Sequence, residues 1–202
     1  DGKINTGIGY DIEGKPVFAS FDSLPHALVG GSTGSGKSVF LSSVISGIIF
    51  RYQPKDVRLV LIDFKRVEMN VYNGLPFVVG GKAIDDFDET QEMFDRLTDE
   101  MERRYTLLSE SRTRNFKEYN DKASEKDRLP AIVIIIDEYA DMVSNKGYKE
   151  LAVDIQRIAQ KARAAGMYMF IATQRPSAKV IDGVIKANLP SRIAFSVASH
   201  VD

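Results

Sequence analysis

The sequence contains no cysteine and no tryptophan, and only two of its 202 residues are histidines. Without cysteine, disulfides, thiolate catalysis and cysteine zinc sites are excluded, which fits a reducing compartment. His26 and His200 lie far apart along the chain, which argues against a histidine metal site. An excess of positive charge is also missing, since 27 Lys and Arg are balanced by 28 Asp and Glu. Any contact with nucleic acid must therefore be local.

Long apolar runs are absent as well. No stretch approaches the ~20 residues that a membrane-spanning helix needs, and the charged start at Asp1 and Lys3 is not typical of a signal peptide. We therefore expect a soluble piece. A hydrophobic content of 44% over this length is enough for one substantial core. We expect a hairpin and linker region over residues 1–25 and one domain over residues 26–202.

The most informative pattern present is residues 31–38, GSTGSGKS, which match G-x-x-x-x-G-K-[ST] between two apolar stretches. Small residues allow successive backbone N–H groups to surround a polyphosphate, and the helix that follows directs its positive end at it. Lys37 can reach the β- and γ-phosphates, and the Ser38 hydroxyl can ligate Mg²⁺. The alternative is a plain glycine-rich turn. The pattern predicts a nucleotide site comprising Gly31, Ser32, Thr33, Gly34, Ser35, Gly36, Lys37, Ser38 and Val39.

A second pattern is the apolar run 132–136, which ends in Asp137 and Glu138. A buried parallel strand with this ending places carboxylates at the edge where open α/β sheets bind ligands. Asp137 is predicted to hold Mg²⁺, and Glu138 to orient or deprotonate the hydrolytic water. As an alternative, either acid caps a helix that begins near Asp141.

The remaining periodicity predicts an alternating α/β chain. We expect a hairpin around Pro16–Ala19 that covers one edge of the sheet, and a long helix that Gly166 ends as a C-cap. Gln174 follows a strand, where an amide can sense the γ-phosphate; a turn cap is equally compatible. The predicted strands are 27–30, 57–62, 132–136, 167–172 and 191–197, and the predicted helices are 37–52, 84–108 and 151–165.

Several longer motifs resemble the motor domain of the FtsK/SpoIIIE DNA translocases, from about residue 24 to the end. They include MERRY at 101–105, DEYAD at 137–141, QKARAAG at 160–166, ATQRP at 172–176 and IKANLPSRIAF at 185–195. The resemblance implies a three-layer RecA-like P-loop NTPase fold with a mostly parallel central sheet. It also implies ATP and Mg²⁺ as cofactors, and a homo-oligomeric ring, commonly a hexamer, that pumps double-stranded DNA in chromosome segregation, sporulation or conjugation.

The same resemblance implies a cytoplasmic motor domain of a membrane-anchored bacterial protein, with the anchor outside this chain. Relatives continue past the residue that matches Asp202, so we expect a motor truncated at its C-terminus. Family members usually read Asp-Pro-Lys after the second strand, whereas this chain has Asp63, Phe64 and Lys65. The related EssC/EccC secretion ATPases, which act on protein substrates, share the core motifs and give an alternative function.

A ring ATPase needs a cation from the neighbouring subunit to stabilise charge on the γ-phosphate. Arg104 and Arg163 are the first candidates, ahead of Arg103 and Arg192, although a plain surface charge is the commoner role of an arginine. A segment over 177–183 can form a pore loop or an ordinary surface turn. Phosphate contacts are expected from the local basic clusters Lys65–Arg66, Arg103–Arg104, Arg112 with Arg114 and Lys117, and Lys179 with Lys186.

Overall fold

The computed structural model describes residues 4–175, 180–181 and 183–196, and these contain seven strands. The strands are β1 Asn5–Tyr10, β2 Pro16–Ser20, β3 His26–Gly30, β4 Val57–Asp63, β5 Ala131–Asp137, β6 Met167–Thr173 and β7 Ser191–Ala194. Five of them form one sheet in the order β4-β5-β6-β3-β7, with every neighbouring pair parallel. The other two, β1 and β2, pair as an antiparallel hairpin.

Helices cover both faces of the sheet. Successive residues of a strand point to opposite faces, and all seven residues of β5 are buried. The helices are α1 Lys37–Arg51, α2 Phe87–Glu110, α3 Phe116–Lys122, α4 Tyr139–Val143, α5 Tyr148–Lys161 and α6 Gly183–Asn188. Even-numbered β5 residues such as Ile134 pack with α2 and α5, whereas odd-numbered ones such as Val133 pack with α1. The predicted three-layer α/β fold is confirmed.

The predicted hairpin is present, but the prediction that it covers an edge of the sheet is wrong. It packs on α1, where the backbone N–H of Asn5 donates to the Tyr52 hydroxyl at 2.7 Å and the Thr6 hydroxyl to the Val44 carbonyl at 3.5 Å. A Cβ on Gly47 would lie 3.0 Å from Thr6 Oγ1, which is tighter than an ordinary contact, so a side chain there would push Thr6 away from the helix. The division of the chain at residue 25 stays a prediction.

The predicted strands agree with the structure within one residue, except that β7 ends at Ala194. The predicted helix over 151–165 is α5, which ends earlier, at Lys161. Gly166 is therefore not its C-cap; it has a φ of 76° in the turn that enters β6. Residues 195 and 196 are described and are not in the strand, whereas residue 197, its predicted end, lies outside the described residues, as does most of the predicted pore loop. No helix within the described ranges is long and apolar enough to cross a membrane.

Candidate functional site

The GSTGSGKS segment forms the loop between β3 and α1, with Gly36 as the residue before the helix. Gly36 has a φ of 105°, which favours glycine strongly. A Cβ on Gly31 would lie 2.7 Å from Phe195 Cβ and 2.5 Å from Ser35 Oγ, so this position also excludes a side chain. The backbone N–H and the hydroxyl of Ser32 both donate to the Ser196 carbonyl at 2.9 Å. The loop is thereby fixed over the end of β7.

The start of α1 supplies the groups that a phosphate requires. The first N–H groups of an α-helix have no acceptor inside the helix, and its positive dipole end adds to their attraction for anions. Ser38 is half-buried there, while the Val39 side chain is 71% exposed, so that Val39 can contribute only through its backbone. These placements fit the predicted nucleotide-binding roles, which stay predictions for the individual residues.

The two sequence patterns meet at one edge of the sheet. β6 lies between β3 and β5, so the C-terminal ends of all three strands face the P-loop. Lys37 Nζ donates to Asp137 Oδ1, and both side chains are buried. Asp137 Oδ1 also accepts the Glu138 N–H at 3.0 Å and caps no helix. An ammonium group and a carboxylate at a helix N-terminus are the groups that phosphates and Mg²⁺ need.

The donor set fits Mg²⁺, which prefers oxygen ligands. The Ser38 hydroxyl and the Asp137 carboxylate lie at the same end of the sheet. Asp63 is beside Asp137 in register, but its carboxylate accepts four backbone N–H groups, those of Lys65, Val67, Glu68 and Met69. The Asp63 carboxylate therefore stabilises its own loop, and Asp137 is the better ligand for Mg²⁺. In the described part of the chain, no group of three or more His, Asp or Glu residues suggests another metal site.

Glu138 lies immediately after β5 in a left-handed conformation, with φ 54° and ψ 63°. This conformation is uncommon for a residue with a side chain and is typical of functional sites. It directs the carboxylate at the end of β6, where Oε1 accepts from the Thr173 hydroxyl at 3.1 Å and the Gln174 N–H at 3.2 Å. Oε2 accepts from Lys65 Nζ at 3.1 Å. The Glu138 side chain makes no cap bond to α4, so the capping alternative is not supported.

Gln174 connects this carboxylate to the P-loop. Its N–H donates to Glu138 and its Oε1 accepts from the Thr33 hydroxyl at 3.0 Å. A change in the P-loop can therefore reach the end of β6 through one side chain. The predicted sensing role stays a prediction, and the geometry is compatible with it.

The four arginine candidates lie in different places. Arg104 is 1% exposed, and its guanidinium donates to Glu100 at 2.7 Å and the Ala165 carbonyl at 2.8 Å. Because it is enclosed within the fold, it cannot reach a second copy of the chain. Arg103 is exposed and also paired with Glu100, and Arg192 is exposed on the edge strand β7.

Arg163 is exposed just before β6 and donates to the Asp22 carbonyl at 2.8 Å. It lies at the N-terminal edge of the sheet, opposite the P-loop, and the seven residues of β6 separate the two edges by about 20 Å. Arg163 therefore cannot act on its own P-loop. Asp22 also accepts from the Tyr168 hydroxyl at 3.1 Å. Burial, and then the charge of Asp22 and its hydrogen bond, raise the pKa of Tyr168.

His26 begins β3 near the same edge and is 3% exposed. Both of its ring nitrogens lack a hydrogen-bond partner among the residues that the structure describes. Burial, and secondarily the charge of Arg163, lowers the pKa of His26 to about 4. The imidazole is therefore neutral near pH 7.

The predicted basic clusters are dispersed. Lys65 contacts Glu138, Arg66 pairs with Asp85 at 2.8 Å, and Lys117 pairs with Asp22 at 3.4 Å. Arg112 and Arg114 are exposed, Lys186 lies on α6, and Lys179 lies outside the described residues. Sequence reasoning missed Asp63 and the contact of Lys65 with Glu138. Asp63 has the same signal as Asp137, an acid that ends a buried apolar strand.

The chain matches the model of the FtsK/SpoIIIE family over residues 1–178. It is 46% identical over 208 residues to a DNA translocase FtsK of Staphylococcus aureus, covering 99% of this chain and 26% of that protein. The chain thus spans about a quarter of the curated relatives it matches.

Solved structures agree with the fold. The conjugation coupling protein TcpA, solved as a monomer with ATPγS, is 31% identical with a TM-score of 0.76, covering 96% of this chain and 54% of that chain. The type VII secretion ATPase EccC of Thermomonospora curvata is 24% identical with a TM-score of 0.77, covering 98% of this chain and 24% of that chain. The second likeness shows the fold alone. From the family match and the P-loop geometry, the chain is a P-loop ATPase domain and belongs to the FtsK/SpoIIIE family.

Proposed function

We propose that this chain is the motor domain of an ATP-driven double-stranded DNA translocase that serves chromosome segregation, sporulation or conjugative DNA transfer. The observation that carries the proposal is the family match over residues 1–178, which includes the P-loop, Asp137, Glu138 and Gln174 in one site. The motor is cytoplasmic and belongs to a membrane-anchored bacterial protein.

In the proposed reaction, the P-loop and Lys37 bind the phosphates of ATP, while Ser38 and Asp137 hold Mg²⁺. The metal ion neutralises charge on the phosphates when bound. Glu138 accepts a proton from the attacking water, since its carboxylate lies at the same sheet edge as Lys37. Gln174 senses the γ-phosphate through its contacts with Thr33 and Glu138.

The active sites lie between subunits of a homo-oligomeric ring, which we propose is a hexamer. Arg163 is the residue supplied to the neighbouring site. Its exposure and its distance from the P-loop of its own subunit support this choice, whereas the burial of Arg104 argues against the other first candidate. The exposed Arg112 and Arg114 are the better candidates for contacts with DNA phosphates, because Lys65 and Arg66 are engaged within the chain.

The test is the rate of ATP hydrolysis by this chain with and without long duplex DNA. We expect DNA to stimulate hydrolysis at about 50 mM salt and to lose this effect towards about 200 mM, because phosphate contacts release counterions. Glu138→Gln is the control for hydrolysis by a contaminant. A rate that is indifferent to DNA at low salt would reject the translocase proposal.

The alternative is a secretion ATPase that acts on protein substrates. The similarity to EccC shows the fold but gives no information about the substrate, so we rank this function second. The same assay separates the two functions, since a secretion ATPase responds to a substrate peptide and not to duplex DNA.

A further inference from the structure

Among the contacts of the described residues, Lys65 is the one cationic partner of the Glu138 carboxylate, and it comes from the loop after β4. We propose that Lys65 is a positioning residue for Glu138, and that it makes Oε2 the oxygen that accepts the proton of the attacking water. This inference rests on the proposed role of Glu138 as the base.

The two carboxylate oxygens of Glu138 are used unequally. A carboxylate oxygen has two lone pairs. Oε1 accepts two hydrogen bonds, from the Thr173 hydroxyl and the Gln174 N–H, so its acceptor positions are filled. From the residues that the structure describes, Oε2 accepts one bond, that of Lys65 Nζ, which leaves one acceptor position. The three donors together fix the carboxylate plane, and the remaining acceptor position on Oε2 is where a water can bind.

The loop that carries Lys65 is built to hold this contact. Asp63 ends β4 beside Asp137 in register. Its carboxylate is 1% exposed and accepts N–H groups of residues 65, 67, 68 and 69 at 2.8–3.1 Å. Arg66, which follows Lys65 in the chain, has a φ of 58° and pairs with Asp85 at 2.8 Å on the outer side of the loop. The turn thus sends Arg66 outward and Lys65 towards Glu138.

The positive charge of Lys65 also suits the positioning of the Glu138 carboxylate. Glu138 is 4% exposed, and a buried carboxylate is costly without a paired cation. Lys37 pairs with Asp137, so Lys65 is the cation that pairs with Glu138, the proposed base. Its side chain is 42% exposed, which shows that the long stem reaches the buried acid from the surface.

The experiment is a double-mutant cycle of Lys65→Met and Glu138→Gln, with single-turnover hydrolysis measured without DNA. We expect Lys65→Met to lower the hydrolysis rate constant about 10- to 100-fold, the scale of one hydrogen bond to a charged group, and to leave the Kd for ATP unchanged. Lys65→Arg should restore part of the rate. The matched control is Lys82→Met, which removes an exposed lysine paired with Glu89 at 2.8 Å and should have no effect.

In the Glu138→Gln background, Lys65→Met should cause little further loss, because a residue that acts through Glu138 has nothing left to position. An equal loss in both backgrounds would overturn the inference, since Lys65 would then act on the nucleotide directly. If Glu138→Gln hydrolyses ATP at the wild-type rate, Glu138 is not the base, and the inference about Lys65 fails with it. Because no DNA is present, failure of the translocase proposal does not affect the outcome. If Lys65→Met does not fold, Lys65→Arg completes the same cycle.

Discussion

Arg103 and Arg104 are neighbours in the chain and share Glu100 as a partner, yet their environments differ. Arg104 is fully enclosed, whereas the Arg103 side chain is 53% exposed. Burial lowers the pKa of Arg104, although the hydrogen bond and the charge of Glu100 oppose this effect. For Glu100, burial alone would raise the pKa, but the hydrogen bonds from both arginines outweigh it and the pKa is lowered. The MERRY motif therefore contains one structural arginine and one surface arginine.

Arg104→Met should reduce the free energy of unfolding by about 3 kcal/mol, because it leaves the buried Ala165 carbonyl without its side-chain donor and removes one of the two arginines that bond Glu100. Arg103→Met, with the same partner at the surface, should cost less than about 1 kcal/mol. Urea unfolding measures both changes. Equal losses would contradict the assignment, and loss of hydrolysis by well-folded Arg104→Met would point to a catalytic role.

His26 should make the stability of the fold depend on pH. Burial lowers the pKa of His26 to about 4 in the folded chain, from the ordinary histidine value of 6.5. Between these values the unfolded chain binds a proton that the folded chain does not, so stability falls as the pH falls. The loss should be on the order of 3 kcal/mol. Urea unfolding at about pH 7 and pH 4.5 should show a smaller loss for His26→Phe; identical losses would contradict the prediction.

At the scale of elements, the strands were predictable and the short helices were not. β4, β5 and β6 are apolar runs buried on both faces, and such runs are visible in a sequence. By contrast, α3, α4 and α6 have seven, five and six residues, too few for a helical period to stand out. The helix N-cap Asp86 also escaped prediction, and α2 begins three residues later than expected.

The features of the site likewise divide into those that the sequence predicts and those that it does not. The P-loop and the Asp137–Glu138 pair follow from local patterns, because each is a contiguous run with a known chemical use. The Lys65–Glu138 contact could not be predicted, since it depends on β4 pairing with β5 so that Asp63 aligns with Asp137. The burial of Arg104 was likewise hidden, because a charged stretch on a long helix usually faces solvent.

At the scale of the whole molecule, the proposed ring requires that two neighbouring subunits contribute residues to each active site. Lys37→Ala should inactivate a site from within, and Arg163→Ala should inactivate the site of the neighbour. In an equal mixture of the two variants, about a quarter of the sites combine an intact P-loop with an intact arginine, given head-to-tail contacts.

We therefore expect hydrolysis to return in the mixture although each variant alone is inactive. The matched control is Lys37→Ala mixed with Arg103→Ala, in which the second variant should be active by itself. An inactive mixture would show that Arg163 is not supplied in trans. Nucleotide affinity should be normal in Arg163→Ala, and a loss of affinity would equally reject the role.

The hairpin gives the domain a mechanical property. β1 is paired with β2 and is also bonded to α1 and the residue after it through Val44 and Tyr52, so a pull on Asn5 is shared between the hairpin and the helix that begins at Lys37. The sheet receives its share through the chain that joins β2 to β3. Tension entering by this route would act along the back of the helix whose other end closes the phosphate loop.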